Sequence, residues 1–226
     1  MSVYLMFHKP AGYLSAVRDP QKPTVMEFFP PELRERVHPV GRLDYNTRGL
    51  LLFTDDSRVD RALLFPERHV VKKYAFSAIG VMTPEKIARL ETGVFIGSSG
   101  VMSRPARFTM ERTCTVEDIK ADLPPIRRMD YLKNPQGPAF YGCLEVTEGR
   151  KHEVRLMLRA VDCKIMRLCR VEMAGIRLDP DLPEGAYRPL NEAEMAVLNR
   201  QIADVPLSVT QMRKMRRDAE KTESGE

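Results

Sequence analysis

Three groups of side chains in this sequence have types and spacings that can do chemistry. The first is the carboxylate of Asp44 in GRLDYNTRGLLLFTDD, residues 41–56, two positions after Arg42 and just ahead of Leu50-Leu51-Leu52-Phe53. If 41–44 is extended, Arg42 and Asp44 point to the same side, and a guanidinium that close favours the ionised acid. Taken alone, an Asp here also reads as a turn cap, with Thr47 and the peptides near Gly49 holding the turn. Asp44, Asn46 and Gly49 are spaced like calcium-loop positions one, three and six. Arg48 at position five and Asp55 at position twelve, where a bidentate Glu belongs, exclude calcium.

The second group is Lys72-Lys73-Tyr74. Tyr74 shares a strand face with Phe76, so it is either a core aromatic with its hydroxyl at the surface or a ring for stacking on a nucleobase, with lysines beside it for phosphates. The third is EGRKHEVRLMLRAV, residues 148–161, which predicts a helix opened by Gly149. Its apolar stripe is Val154, Met157, Leu158 and Val161. Lys151, Arg155 and Arg159 are four apart and share the opposite face, while Arg150 and His152 add donors at the helix start, where the dipole attracts anions. A basic face can be merely solvated, but no acid lies on this row, and like charges at that spacing repel unless an anion balances them.

Other chemistries lack their residues. No GxGxxG follows a strand, and there is no Walker loop. His152-Glu153 begins like HExxH but position 156 is Leu, and the HxE and PCxxC of a zinc deaminase are absent. Cys114, Cys143, Cys163 and Cys169 show neither CxxC spacing nor a disulfide framework, so no metal and no cofactor are expected.

The elements that must position these groups are mainly strands. VYLMF (3–7) reads as a strand stopped by Lys9-Pro10-Ala11-Gly12. A Pro-marked stretch at 19–31 encloses a short apolar segment, and Leu50–Phe53 reads as a buried strand. Asp55-Asp56-Ser57 caps a helix over 57–64 that stops near Pro66. VVKKYAFSAI (70–79) is a strand, Thr83-Pro84-Glu85 opens a helix to about Glu91, and a hairpin-rich section begins at Gly93–Gly100. Residues 124–138, with four prolines, read as a loop. Strands follow at 140–147 and 165–178, and a final helix spans Asn191–Ile202. The expected fold class is α+β, with a mixed, mainly antiparallel central sheet flanked by helices. Residues 1–206 are expected to form one domain. Residues 207–226 form a polar tail, in which Arg213, Lys214, Arg216 and Arg217 cluster.

The chain has 226 residues, 43% apolar and 30% charged, with a formal charge of +5 and a pI near 9.1. That composition fits a soluble globular protein with an anionic partner. The N-terminal apolar run is too short for a signal h-region or a membrane span, so a cytoplasmic protein with no membrane partner is expected.

Taken together, these stretches resemble a known family. GRLDYNTRGLLLFTDD is similar to the GRLDxxTxGLLLxTND signature of RsuA-type bacterial ribosomal RNA pseudouridine synthases. Lys9-Pro10-Ala11-Gly12 resembles the family's KPxG, Lys73-Tyr74 its KxY, and Pro105-Ala106 its PA step. EGRKHEVRLM resembles EGxxHQVRRM, Arg167–Val171 resembles RLxRV, and Gly185–Leu190 resembles GxWRxL. The resemblance runs in order over about 180 residues. It implies a pseudouridine synthase fold, whose cleft lies on the sheet. It also implies roles: Asp44 as the catalytic aspartate, Tyr74 stacking on the target base, Arg155 pairing with the aspartate, Leu168 lining the uracil pocket, and Arg42 holding the flipped nucleotide. Lys73, Arg150, Lys151 and Arg159 are the further candidates for substrate contact.

Three departures accompany the resemblance. Glu153 stands where the family has Gln, which removes a donor and adds a negative charge beside Arg155. Tyr187 replaces Trp, a packing change. The chain is expected to start directly at the catalytic domain, without the small S4 RNA-binding domain, as in a subgroup resembling the E-type large-subunit enzyme.

The implied reaction breaks the uridine N1–C1′ bond, rotates the uracil and joins C5 to C1′. Attack on the sugar, attack on the base and removal of a sugar proton would all use an ionised Asp44. The implied partner is ribosomal RNA or its assembly intermediate. The expected order is 23S RNA first, 16S second and transfer RNA third, acted on by a monomer. The alternative from another class is a non-catalytic RNA-binding or ribosome-assembly protein on the same scaffold. An acid retained among arginines argues against it, because plain phosphate binding has no use for one.

Overall fold

The computed structural model describes residues 2–97 and 100–206. The strands are β1 (Tyr4–Lys9), β2 (His38–Pro39), β3 (Arg48–Thr54), β4 (Lys72–Ile79), β5 (Phe95–Ile96), β6 (Val101–Met102), β7 (Arg107–Thr115), β8 (Pro138–Val146), β9 (Lys164–Met173), β10 (Ile176–Arg177) and β11 (Tyr187–Pro189). The helices are α1 (Pro31–Arg34), α2 (Ser57–Leu64), α3 (Pro84–Thr92), α4 (Arg128–Tyr131), α5 (Glu153–Ala160) and α6 (Glu192–Ile202). The central sheet runs β11-β1-β3-β9-β4-β8-β7, with β2 on β3 and β10 on β9. All of its pairs are antiparallel except β3 with β9. The expected mixed α+β class is therefore the observed one.

The helix starts follow from local chemistry. The side chain of Asp56 accepts from the Arg58 amide at the start of α2. Thr83 caps α3 ahead of Pro84, and Asn191 forms a capping box with Glu194 at α6, so backbone donors that the helix leaves unpaired find acceptors.

Alternation divides the core. Met6, Leu50 and Leu52 join the α2/α6 cluster, while Leu5, Phe7, Leu51 and Phe53 face the other way into a cluster with Phe29 and Val37. On β4, Lys72, Tyr74, Phe76 and Ala78 share one face and pair with Met173, Arg170, Leu168 and Ile165 of β9. Two register irregularities make this possible, since β9 spends an extra residue at each. Met173 belongs to the α2/α6 cluster, whereas Leu168 and Ile165 belong to the α3/α5 cluster. Tyr74 packs against both the α3/α5 cluster and the Phe29/Val37 cluster, while Lys72 pairs with Met173 of the α2/α6 cluster, so Lys72, Tyr74 and Arg170 fall at a seam where the clusters meet.

The loop expected at 124–138 is more ordered than its prolines suggest. It carries a 3-10 turn at Pro125–Arg127 and the short helix α4. Tyr131 and Leu132 of this segment pack on a small core in which Val116, Ile119 and Leu123 bury against Ala139. Four prolines limit regular structure without preventing packing. The basic tail expected from Leu207 lies outside the described residues. Among the described residues no helix is long and apolar enough to cross a membrane.

Candidate active site

At the seam the sheet opens into a pocket of about 280 Å³, lined by Arg42, Asp44, Tyr74, Arg150, Arg155 and Leu168 among others. Six of the nine expected site residues meet there. Lys73, Lys151 and Arg159 do not line it.

The turn before β3 positions Asp44. Residues 41–47 are not a strand, so Arg42 and Asp44 reach the pocket from a turn, and no Arg42–Asp44 ion pair forms within 4.0 Å. The turn is closed by main chain: the Thr47 amide donates to the Asp44 carbonyl at 2.9 Å. The carboxylate is therefore not used as a cap, which removes the simplest structural reason for an Asp at this position.

Beneath the turn lies Lys9, 0% exposed. Its ammonium donates to the carbonyls of Pro10 (2.9 Å), Asp44 (3.3 Å), Tyr45 (3.4 Å) and Thr47 (2.9 Å). Burial lowers its pKa to about 8, with the Asp44 charge opposing that shift. Lys9 thus ties the turn to the end of β1, a role that its place in a Lys-Pro turn does not suggest.

The helix expected from Gly149 begins later. His152 holds a left-handed backbone (φ 57°) at the N-cap, and α5 starts at Glu153. Lys151 therefore precedes the helix, and the expected Lys151/Arg155/Arg159 row does not form. The kink brings the His152 Nε2 to 3.6 Å from Asp44 Oδ1, and among the described residues no Lys or Arg nitrogen comes within 4.0 Å of that carboxylate. From sequence, His152 is only a donor at a helix start. A left-handed non-glycine residue beside a carboxylate is the kind of local strain that marks functional sites.

Arg155 makes no ion pair with Asp44 within 4.0 Å. Its guanidinium donates to the Asn46 carbonyl at 3.4 Å and the Ile165 carbonyl at 3.5 Å, bridging the Asp44 turn to β9. Burial lowers its pKa and the charge of Asp44 partly restores it, so the two feel each other without touching.

The lysines of β4 exchange roles. Lys73 points away from the pocket and pairs with Glu145 at 3.3 Å, while Lys72, on the Tyr74 face, is buried and lines the pocket. Strand alternation is the signal, since Lys72 and Tyr74 are two apart. Lys72 is lowered to about 8 by burial and by the Arg170 charge beside it, with Glu153 opposing. Arg170 is 2% exposed. Its Nε donates to the Leu50 carbonyl at 2.9 Å, while its Nη2 and the Thr47 Oγ1 are buried without a partner among the described residues. Donors left unpaired on a pocket wall are available to the acceptors of a ligand.

Glu153, 5% exposed, is the acid at this end of the pocket. Its pKa rises to about 7, first by burial and then by the charge of Glu148, with the Arg150 amide and guanidinium and Lys72 opposing. Below its ordinary 4.5 the carboxyl is neutral in folded and unfolded chains alike. As pH rises from 4.5 to 7 only the unfolded chain ionises, so stability is lost across that window. We expect Glu153→Gln to match the parent near pH 4.5 and to be more stable at pH 8, by up to about 3 kcal/mol. Urea melts at the two pH values check this, and an equal gap at both would show that ionisation of Glu153 carries no penalty.

The pocket therefore offers an uncapped carboxylate beside an aromatic ring, an apolar wall at Leu168, and a surplus of buried cations. That combination suits a polar planar ring attached to a phosphodiester chain. Among the described residues no group of three or more His, Cys, Asp or Glu is placed to hold a metal ion.

Residues 3–160 match the family described as RNA pseudouridylate synthase. The chain is similar to the ribosomal small subunit pseudouridine synthase A of Pseudomonas aeruginosa, 36% identical over 194 residues, which covers 85% of this chain and 72% of that protein. It is also similar to YtzG of Bacillus subtilis, named as an uncharacterised RNA pseudouridine synthase, 36% identical over 87% of this chain and 73% of that one. A crystal structure of a pseudouridylate synthase superposes with a TM-score of 0.72 at 26% identity, covering 88% of this chain and 74% of that chain.

Proposed function

The chain belongs to the RNA pseudouridylate synthase family, and from that premise we propose that it isomerises a uridine of ribosomal RNA, with Asp44 as the acting carboxylate. The observation that carries this reading is the convergence of Asp44, Tyr74, Arg155 and Leu168 on one pocket, with the Asp44 carboxylate left uncapped.

In the proposed reaction the uridine leaves its stack and enters the pocket. Tyr74 stacks on the base, Leu168 lines its edge, and the carboxylate of Asp44 meets the nucleotide at the glycosidic bond. The N1–C1′ bond breaks, the uracil turns, C5 bonds to C1′, C5 loses its proton and N1 takes one up. Arg42, Arg150 and Arg155 balance the phosphates that arrive with the nucleotide. Arg155 acts on Asp44 through the Asn46 carbonyl and through space. Lys72 takes the place expected for Lys73. We expect Lys72→Met to lower turnover by at least about tenfold, because it removes a buried cation from the pocket wall. Lys73→Ala should leave turnover unchanged and cost at most about 1 kcal/mol, since its pair with Glu145 is half-exposed. Steady-state kinetics and urea melts on both variants check the exchange; equal losses of turnover would restore Lys73 to the site.

The Pseudomonas relative is named for the small ribosomal subunit, whereas the expectation from sequence put the large one first. The proposed substrate class is therefore ribosomal RNA, with 16S RNA now ahead of 23S. Mapping pseudouridines in 16S, 23S and transfer RNA from a strain lacking this gene tests the reading. Loss of one ribosomal site, restored by the purified protein, supports it. Loss confined to transfer RNA overturns the substrate class, and no lost site anywhere favours the RNA-binding alternative.

A further inference from the structure

A second cavity, of about 570 Å³, lies beyond the wall formed by Arg155. Its lining includes Asn46, Arg48, Asp122, Arg128, Arg155 and Arg167. Arg155 also lines the Asp44 pocket, so the two cavities share a wall built of one guanidinium, and the volume is in the range of ligand sites, about 300–1,000 Å³.

Four guanidiniums converge here on a single lining carboxylate. Asp122 stands 3.7 Å from Arg167, and Glu184 pairs with both Arg48 and Arg167, so two acids answer four cations. Arg128 has no carboxylate within 4.0 Å among the described residues. Convergent like charges are unfavourable unless an anion completes them.

The wall that carries Arg128 is built rather than loose. Val116, Ile119 and Leu123 anchor it beneath the sheet edge, and Pro124-Pro125 limit the backbone leading to α4. The apolar part of the cleft lining includes Leu123, Pro124, Pro125, Ile165 and Met166. These are apolar surfaces on which an unstacked base can rest.

We propose that this cleft is a second RNA subsite, which holds the phosphodiester of a nucleotide flanking the one in the Asp44 pocket. It rests on the proposed function, because a chain that delivers one nucleotide to Asp44 must leave on either side of it. Arg155, between the two cavities, is placed to contact the phosphate at which the chain passes from one to the other. The segment at 116–137 supplies Asp122 and Arg128, and would make recognition depend on bases that are not themselves modified.

The test compares binding of hexauridylate and of uridine 5′-monophosphate to the full chain, its Arg128→Glu variant and its Arg127→Glu variant. Arg127 is the control: it sits beside Arg128 and carries the same charge, but its guanidinium lies over Tyr131 at 5.8 Å and it does not line the cleft. Arg128→Glu should weaken hexauridylate at low salt by at least about tenfold and flatten its log–log salt dependence by about 0.7 for each phosphate it no longer neutralises. Arg127→Glu should change it less than twofold, and neither variant should alter monophosphate binding. Equal weakening by both variants, no weakening by Arg128→Glu, or a wild type that binds hexauridylate no better than the monophosphate would each overturn the subsite. Turnover on ribosomal RNA from the deletion strain separates this from the proposed function. Turnover with Arg128-independent binding overturns the subsite alone. Absent turnover with Arg128-dependent binding overturns the proposed function and leaves the subsite standing.

Discussion

Asp44→Asn is expected to abolish pseudouridine formation, with kcat down at least about thousandfold, while folding and RNA affinity stay close to the parent. The substitution preserves size and removes charge. Folding should survive because the turn is closed by the Asp44 carbonyl and not by its carboxylate, and because Lys9 holds main-chain oxygens that the variant keeps. Affinity should survive because the acid sits among cations, and removing it makes the pocket more attractive to phosphate. A thousandfold loss is about 4 kcal/mol of transition-state stabilisation, which a group acting on the reacting atoms can supply and a remote charge cannot. Tritium released from RNA labelled at uridine C5 measures turnover, and filter binding measures affinity. Turnover within tenfold of the parent would remove Asp44 from the chemistry.

Gly49→Ala is expected to have the largest effect on stability of any single methyl group added near the site. Gly49 has φ +106°, and a Cβ there would lie 2.2 Å from the Arg170 carbonyl oxygen and 2.6 Å from its amide nitrogen. Those atoms are backbone, so the clash is relieved only by separating β3 from β9. Among the described residues that pair is the sole parallel junction of the central sheet, and it joins β1 and β3 to the strands that carry Tyr74 and Leu168. The loss should exceed about 4 kcal/mol, in the range of severe core disruptions. Gly12→Ala is the comparison: its φ of +89° is also left-handed, but nothing lies within 4 Å of the added Cβ, so only the conformational cost of about 1–2 kcal/mol remains. Urea melts on both variants check the difference. Equal losses would show that backbone conformation, rather than close approach, requires glycine at 49.

The reach of the sequence differs from residue to residue. Asp44, Tyr74 and Leu168 are legible through the family resemblance, and all three line the pocket. The motif points to Lys73 rather than Lys72, although alternation along β4 already puts Lys72 on the Tyr74 face. That signal is local and lies within three residues. Lys9 carries no such signal, because a lysine followed by proline reads as the end of a strand. Its burial depends on a turn 35 residues further along closing over it. His152 escapes a sequence reading because a left-handed non-glycine residue leaves no mark in hydrophobic periodicity, which extends the expected helix back through Lys151.

By itself the sequence determined the elements, because periodicity, caps and prolines act within a few residues. Asp56 starts α2, Pro84 enters α3, Asn191 caps α6, and the alternation in β1 and β3 separates the two faces of the sheet. It also determined the fold class and, through its motifs, six of the residues that line the pocket. The tertiary structure alone decided how those residues meet. Two irregularities in the register of β9 bring Leu168 opposite Phe76 and Arg170 opposite Tyr74, and strict alternation would not have put both Ile165 and Leu168 on that face. The parallel contact of β3 with β9 carries the Asp44 turn to Arg155, and packing of 116–137 beneath the sheet edge gives the second cavity its wall. These are long-range pairings, and their physical origin is the burial of whole faces against one another. No short window of sequence contains both partners.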